Sequence, residues 1–372
     1  MNKGLDPYCF FPYLLVVIIN NNITSEDNMS KLGNFNRERG FGVEIEYLRP
    51  TGVSKQDICD ALTSVTCEVE EYNHDTVPYW KIVTDASVKA NPSNPHSHSS
   101  DSYNGYVGDN EIVSPILYGE NGFIQLKEIL SVLNGVGCKV NYSCGIHVHH
   151  DVTDTMVQGK KQSEKFLMNL IKFVAKYEHL IYKMVSPSRL DSREYSTPVR
   201  KDYFGYNREG VNEVSLKRMI REVKRDCLRK YRNNDTSIQR GNRSPNVQLN
   251  RGCGLNLQNV WTRGSVEFRY HNGSLNFDKI VSWIVFTQAI VNKVEQTKCV
   301  QMNYVPNNIN NGLWRLRNAI GFVVCDRDEI TKHASSFLLN RFKELSTREN
   351  DYTQHSDYVY VDCGLTLNRG VA

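Results

Sequence analysis

Four absences narrow the reading of this 372-residue chain. No stretch reaches the ~20 consecutive apolar residues that a membrane-spanning helix needs. The nearest approach is Tyr8 to Ile19, a short apolar run behind a single Lys, so no membrane span is expected. The ten cysteines stand at 9, 59, 67, 138, 144, 227, 253, 299, 325 and 363 without a CxxC or a closely spaced pair. That argues against a zinc ribbon or a sequence-local redox motif and leaves reduced, mostly buried thiols. Charge of one sign is not in large excess: 45 Lys+Arg against 41 Asp+Glu leaves +4, too little to coat a nucleic acid. Finally, GxxxxGK[ST] is missing, which argues against a P-loop scaffold.

What is present fits a globular chain: 40% hydrophobic and 23% charged residues are too apolar for disorder and too polar for a polytopic membrane protein. Residues 1–38 read as a dispensable leader. Tyr8 to Ile19 runs into Asn20, Asn21 and Asn22 without a small-x-small cleavage site, and Met29 offers a second start. A cytoplasmic location is therefore expected. One patterned domain is expected over 39–345, interrupted by a polar, Arg-containing insertion at about 186–252, with a tail at 346–372.

Within that domain Phe41 to Leu48 alternates as a half-buried strand does. Ser54 and Asp57 make a capping box ahead of a helix bearing Ile58, Leu62 and Val65. Cys67 to Glu71 and Tyr79 to Thr84 read as a strand pair, Ala90 to Gly108 as a mobile loop, and Asn110 to Leu117 as a strand. A helix follows around Phe123 to Leu133, stopped by Gly135 and Gly137. Cys138 to Ser143 and Gly145 to Val152 read as a hairpin, and Ser163 to Val185 as a long helix. Glu213 to Tyr231 is a basic helix whose charges spread all round, which suits solvation better than a polyanion contact. Gly254 to Val260 and Ser265 to Tyr270 resume the strand pattern, and Asn276 caps a helix over Asp278 to Val294.

Chemistry gathers on the strands. Glu44 and Glu46 lie two apart, so both carboxylates point to one face about 6.6 Å along the chain. Side by side they repel, and a bound cation relieves that repulsion; alone, the pair would sooner suit the solvent face of an edge strand. The same spacing recurs in His147 and His149 of CGIHVHHD and in Glu267 and Arg269 of SVEFRYHNGSLN, and Glu111 adds a fourth strand. On one sheet they would form a face of four carboxylates, two imidazoles and a guanidinium. Oxygen-rich ligation with an imidazole suits Mg²⁺ or Mn²⁺ better than structural zinc. Arg269 cannot ligate a metal, and its planar fork suits phosphate or carboxylate. Metal beside oxyanion suggests ATP-dependent phosphoryl or acyl-phosphate chemistry. A metal-dependent hydrolase using the His147 and His149 pair, and a non-catalytic binding protein, stay open as alternatives.

FGVEIE, EIVSPIL, CGIHVHHD and GLNLQNVWTRGSVEFRYHNGSLN, in this order, resemble the amidoligase family of the glutamine synthetase and glutamate-cysteine ligase superfamily of carboxylate-amine ligases. The resemblance spans roughly Phe41 to Val294. It implies an α+β fold in which a curved antiparallel sheet carries helices on its outer face, as in the glutamine synthetase catalytic domain. It also implies an enzyme that uses ATP and two or three Mg²⁺ or Mn²⁺ ions to join a carboxylate to an amine through an acyl phosphate. Carried onto matching positions, Glu44, Glu46, Glu111, His147 and Glu267 would be metal ligands, and His149 and Arg269 would contact phosphate. WKIVTDASV is similar to a family strand and makes Lys81 and Asp85 candidates for nucleotide or substrate. Arg189, Arg200, Arg208 and Arg251 are candidate phosphate contacts. The substrates implied are an amine and a carboxylate, on an amino acid, peptide, peptidoglycan fragment or protein; nucleic acid is not expected.

Overall fold

A computed structural model describes residues 34–71, 75–189, 196–199, 213–232, 252–303, 305–324 and 327–346. In chain order the elements are β1 (Phe41–Pro50), α1 (Lys55–Asp60), β2 (Cys67–Val69), β3 (Trp80–Thr84), β4 (Ser102–Tyr103), β5 (Tyr106–Val113), α2 (Gly119–Gly135), β6 (Gly145–Asp151), α3 (Thr153–Val157) and α4 (Lys160–Tyr182). Then come α5 (Glu213–Arg232), β7 (Leu255–Asn256), β8 (Ser265–Asn272), α6 (Phe277–Glu295), α7 (Trp314–Ala319) and α8 (Glu329–Ser346). The strands form one open α+β sheet in the order β2-β3-β5-β1-β6-β8-β7, with β4 paired to β5. β2 and β3 run parallel; the other pairings are antiparallel.

Alternation along the central strands gives the sheet two unlike faces. Val43, Ile45, Ile112, Ile146, Val148, Val266 and Phe268 are buried in one core with Phe123 and Leu126 of α2 and Ile280, Trp283 and Ile284 of α6. Each such side chain contributes roughly 1.5–3 kcal/mol by leaving water. The intervening positions carry the charged residues. One bulge alters this rule: the two-residue step from Ile146 to Val148 faces a three-residue step from Phe268 to His271. It places His271 opposite Ile146, where its ring lies 5.3 Å from Trp283.

The helices start where side chains satisfy their free N–H groups. Asp57 N–H donates to Ser54 Oγ at 3.0 Å while the Asp57 carboxylate accepts Ser54 N–H at 2.7 Å, the reciprocal cap expected at α1. Asn276 accepts the Lys279 amide at 2.9 Å to open α6. On α5, Leu216, Ile220, Val223 and Cys227 are buried and Lys217, Arg218, Arg221, Lys224 and Arg225 are exposed. Its charge therefore lies largely in solvent, apart from a two-bond pair between Arg221 and Glu164 of α4 at 2.7 and 3.0 Å.

Several local expectations shift. Cys138 to Ser143 forms no strand: Leu48 bridges Lys139, and Asn141 folds back to accept the Ser143 amide at 2.9 Å. The fifth strand ends at Val113 rather than Leu117, since Pro115 has no N–H to give. Within the expected loop at 90–108, Asn104 and Gly105, both at positive φ, turn β4 back onto β5 as a two-residue hairpin. Phe35, placed by sequence in the leader, is buried and packs on Phe123 with ring centroids 5.0 Å apart. Among the described residues no helix is long and apolar enough to cross a membrane.

Candidate metal and phosphate centre

Strand register draws the predicted residues into a row across four strands. Glu46 of β1 pairs with Glu111 of β5, Glu44 with His147 of β6, and His149 with Glu267 of β8. His147 lies at the middle. Its Nδ1 is 2.9 Å from Glu44, 3.9 Å from Glu267 and 4.0 Å from Glu111, and its Nε2 is 3.5 Å from Glu46. Glu44, His147 and Glu267 make one group, and Glu46, Glu111 and His147 a second, each with ligand atoms within 4.8 Å of one another. The five residues expected to hold metal are thus in one place, sharing one imidazole with two usable nitrogens.

The electrostatics divide these carboxylates. Burial alone would raise Glu44, but His149 and His147 outweigh it and hold the carboxyl well below the ordinary range. Burial likewise opposes ionisation of Glu267, and Arg269 followed by His149 outweighs it. Burial raises Glu46. It also raises Glu111, well above the ordinary carboxylate, with the charges of Glu44, Asp85 and Glu46 adding to the shift. Protons on Glu46 and Glu111 would relieve the same repulsion that a divalent cation relieves.

Two guanidiniums flank the row. Arg269 is buried and bonds Glu267 through Nη1. Arg189, only one of several Arg candidates on sequence, is also buried, and its Nη2 donates to the Cys144 carbonyl at 2.6 Å. The Nε of each has no hydrogen-bond partner. Buried donors are seldom left unused, so the pair fits a site for an anion. Gly145 makes room for this arrangement: a Cβ there would come within 2.3 Å of Arg189 Nη2.

A cavity of about 200 Å³ opens beside the row, with Glu44, Glu111, His149, Lys81, Ser114 and Arg263 on its walls. His149 faces Glu44 at 3.2 Å and Ser265 at 3.4 Å. Burial works against its charged form, but Glu267 and Glu44 raise its pKa. Lys81 sits on the cavity wall and not in the row; its ammonium donates to the Asp75 carbonyl at 2.8 Å and faces Glu70 at 3.6 Å. Asp85 acts on Glu46 and Glu111 by charge while accepting the Ser87 amide at 2.7 Å. Arg200, Arg208 and Arg251 lie outside the described residues.

A family model described as "Putative amidoligase enzyme" matches residues 37–291. The chain belongs to the amidoligase family. No curated protein matches the chain. A bifunctional glutathione synthetase from Pasteurella multocida is similar over 88% of this chain and 51% of that one, at 12% identity and a TM-score of 0.37. The chain spans about half the length of that protein, and at that score the likeness says nothing of fold or activity.

Two residues that the sequence pattern does not single out also touch the row. Asn256 of β7, opposite Glu267 in register, donates to its Oε2 at 2.7 Å, and Asn259 approaches the same oxygen at 3.4 Å. Both lie in GLNLQNVW, within the segment that resembles the family, where no local period singles them out. They occupy the oxygen of Glu267 that Arg269 leaves free, which fixes the carboxylate's orientation. His150, the third histidine of the motif, points the other way and bonds Thr287 of α6 at 2.8 Å.

Proposed function

We propose that the chain is an ATP-dependent carboxylate-amine ligase, working through an acyl phosphate with release of ADP and phosphate. The observation that carries this reading is the row itself: two cation-sized groups sharing His147, with two buried guanidiniums beside them. The residues fit Mg²⁺ or Mn²⁺, because oxygen ligands dominate and no thiol enters either group. Glu44, His147 and Glu267 would hold one ion, and Glu46, Glu111 and His147 another. Bound there, such ions would offset charge between the phosphates of ATP and the substrate carboxylate.

The chain's own groups then have separable tasks. Arg269 holds the transferring phosphoryl oxygens through the donors that Glu267 does not use, and Arg189 offers a second fork to the same anion. His149, with its raised pKa, supplies a cationic donor on the cavity side. Asn256 and Asn259 keep Glu267 from turning. Lys81 and Asp85 border the nucleotide or substrate region, where Arg208 and Arg251 would add charge. A carboxylate resists an amine because its charge is delocalised and its leaving group poor, and phosphorylation cures both. We read the chain through 345 as one catalytic domain that includes the packed Phe35 ahead of position 39, with an insertion at 186–252, glutamine synthetase-like in its sheet, and the location as cytoplasmic.

The test is the fate of ATP. Incubation with Mg²⁺ or Mn²⁺, ATP and pools of carboxylates and amines should yield ADP. From an ¹⁸O-labelled carboxylate one label should pass into phosphate, and hydroxylamine should trap a hydroxamate. AMP and pyrophosphate would replace the acyl phosphate with an adenylate, and turnover without ATP would favour the hydrolase.

A further inference from the structure

Cys59 near the end of α1 and Cys67 at the start of β2 hold their sulfurs 2.8 Å apart. Both are free thiols, and Cys67 is the more exposed of the two. A disulfide spans about 2.05 Å, so less than about 1 Å of movement separates the two sulfurs from a covalent bond. Eight positions apart and without a CxxC, they carry no motif in the sequence; the turn between α1 and β2 brings them together. Among the described residues no third ligand closes on the pair as a metal site would need.

The pair sits where a cross-link would be felt. β2 is three residues long, ends the sheet and pairs with β3 alone. Just beyond it Glu70 donates its amide to the Ile82 carbonyl at 3.0 Å, accepts the Tyr79 hydroxyl at 2.6 Å and faces Lys81. Lys81 is a wall of the cavity. The position of this short edge strand therefore bears on that wall.

We propose that Cys59 and Cys67 are a redox-active pair, oxidised by a low-molecular-weight disulfide to an intramolecular bond that clips α1 to β2 and steadies the Lys81 wall. One thiol of the pair loses its proton and attacks the external disulfide; that S–S bond breaks, one external thiol leaves, and a mixed disulfide forms on the attacking sulfur. The second thiol, 2.8 Å away, then loses its proton and attacks that sulfur, releasing the second external thiol. Two protein thiols are oxidised and one external disulfide is reduced to two thiols, and excess thiol reverses the sequence. This inference is independent of the ligase reading.

The full chain is equilibrated in glutathione buffers of graded potential, trapped with iodoacetamide and mapped by peptide mass. The expected result is a linked Cys59–Cys67 peptide under oxidising conditions that dithiothreitol removes, while the exposed Cys299 gains only a glutathione adduct. Cys67→Ser should abolish the link. Cys59→Ser should let glutathione accumulate on Cys67; if that variant does not fold, the half-exposed Cys67 position carries the test alone. Amides of the β2 and β3 ladder should exchange with deuterium at least roughly fivefold more slowly in the oxidised form. No linked peptide at a potential where Cys299 is fully modified would overturn the pair, and a link without slower exchange would overturn the clip.

Discussion

At the scale of single residues, Glu267 and Arg269 touch each other and yet are assigned different work, which makes them the sharpest test of the centre. Glu267→Gln keeps the size and removes the ligand charge. Weaker Mn²⁺ binding by at least about tenfold is expected in calorimetry, with ATP affinity falling alongside it. Arg269→Lys keeps the charge and loses the planar fork. Its Mn²⁺ affinity should stay close to that of the parent, while turnover falls by roughly one to three orders of magnitude, the usual size of a lost transition-state donor. The same loss of metal affinity in both variants would collapse the two roles into one.

At the scale of elements, the contact of β6 and β8 with α6 buries two histidines that take no part in the metal groups. His150 bonds Thr287, and His271 lies against Trp283 with its Nδ1 2.7 Å from the Asn272 carbonyl. Burial pushes His150 well below the ordinary imidazole range and His271 down to about 3. A folded pKa below the unfolded value means that the unfolded chain takes up protons the folded one refuses. The stability is therefore complete above the ordinary value near 6.5 and drains away as pH falls toward the folded pKa. Between pH 6.5 and 5 His271 alone should remove about 2 kcal/mol, with His150 acting in the same direction. Urea unfolding at pH 7 and pH 5 measures the loss, and His271→Asn should flatten it. An equally steep fall in that variant would place the acid sensitivity elsewhere.

At the scale of the whole molecule, legibility followed period and burial. Glu44, Glu46, Glu111, His147 and Glu267 are legible in the sequence because a two-residue period commits every second side chain to one face, and charges repeated on four strands mark that face. What the period could not carry was register and return. Asn256 lies on a strand two residues long, too short for any alternation. His271 lies beyond a bulge that reverses the face assignment. The Asn104 and Gly105 hairpin offered a strong turn signal, but it was hidden in a segment whose Asn, Ser, Pro and Gly content suggested a loop. Arg189 reaches the row from an irregular segment by lying over Gly145, a contact written in the fold and not in any local pattern.

The start of the fold was hidden for the same reason, because Phe35 stands alone before the patterned strand and owes its burial to distant partners. Its ring packs against those of Phe41 and Phe123, and its amide donates to the Asp328 carboxylate and the Thr331 hydroxyl, each at 3.1 Å. Next to it Asn36 exchanges two hydrogen bonds with Gln288 of α6 at 2.7 and 3.1 Å. These contacts tie the first described residues to α6, 252 positions away, and to the start of α8, 293 to 296 positions away. A chain beginning at Met29 keeps all of them and should unfold at the same temperature as the full chain. One beginning at Glu38 loses a buried aromatic ring, about 1.5–3 kcal/mol, and hydrogen bonds of about 0.5–1.5 kcal/mol each. Its midpoint should fall by roughly 5 °C or more. Calorimetry of the three chains separates the outcomes: a loss already present in the Met29 chain would show that residues before it also pack onto the domain, and no loss in the Glu38 chain would show that Phe35 contributes nothing to its stability.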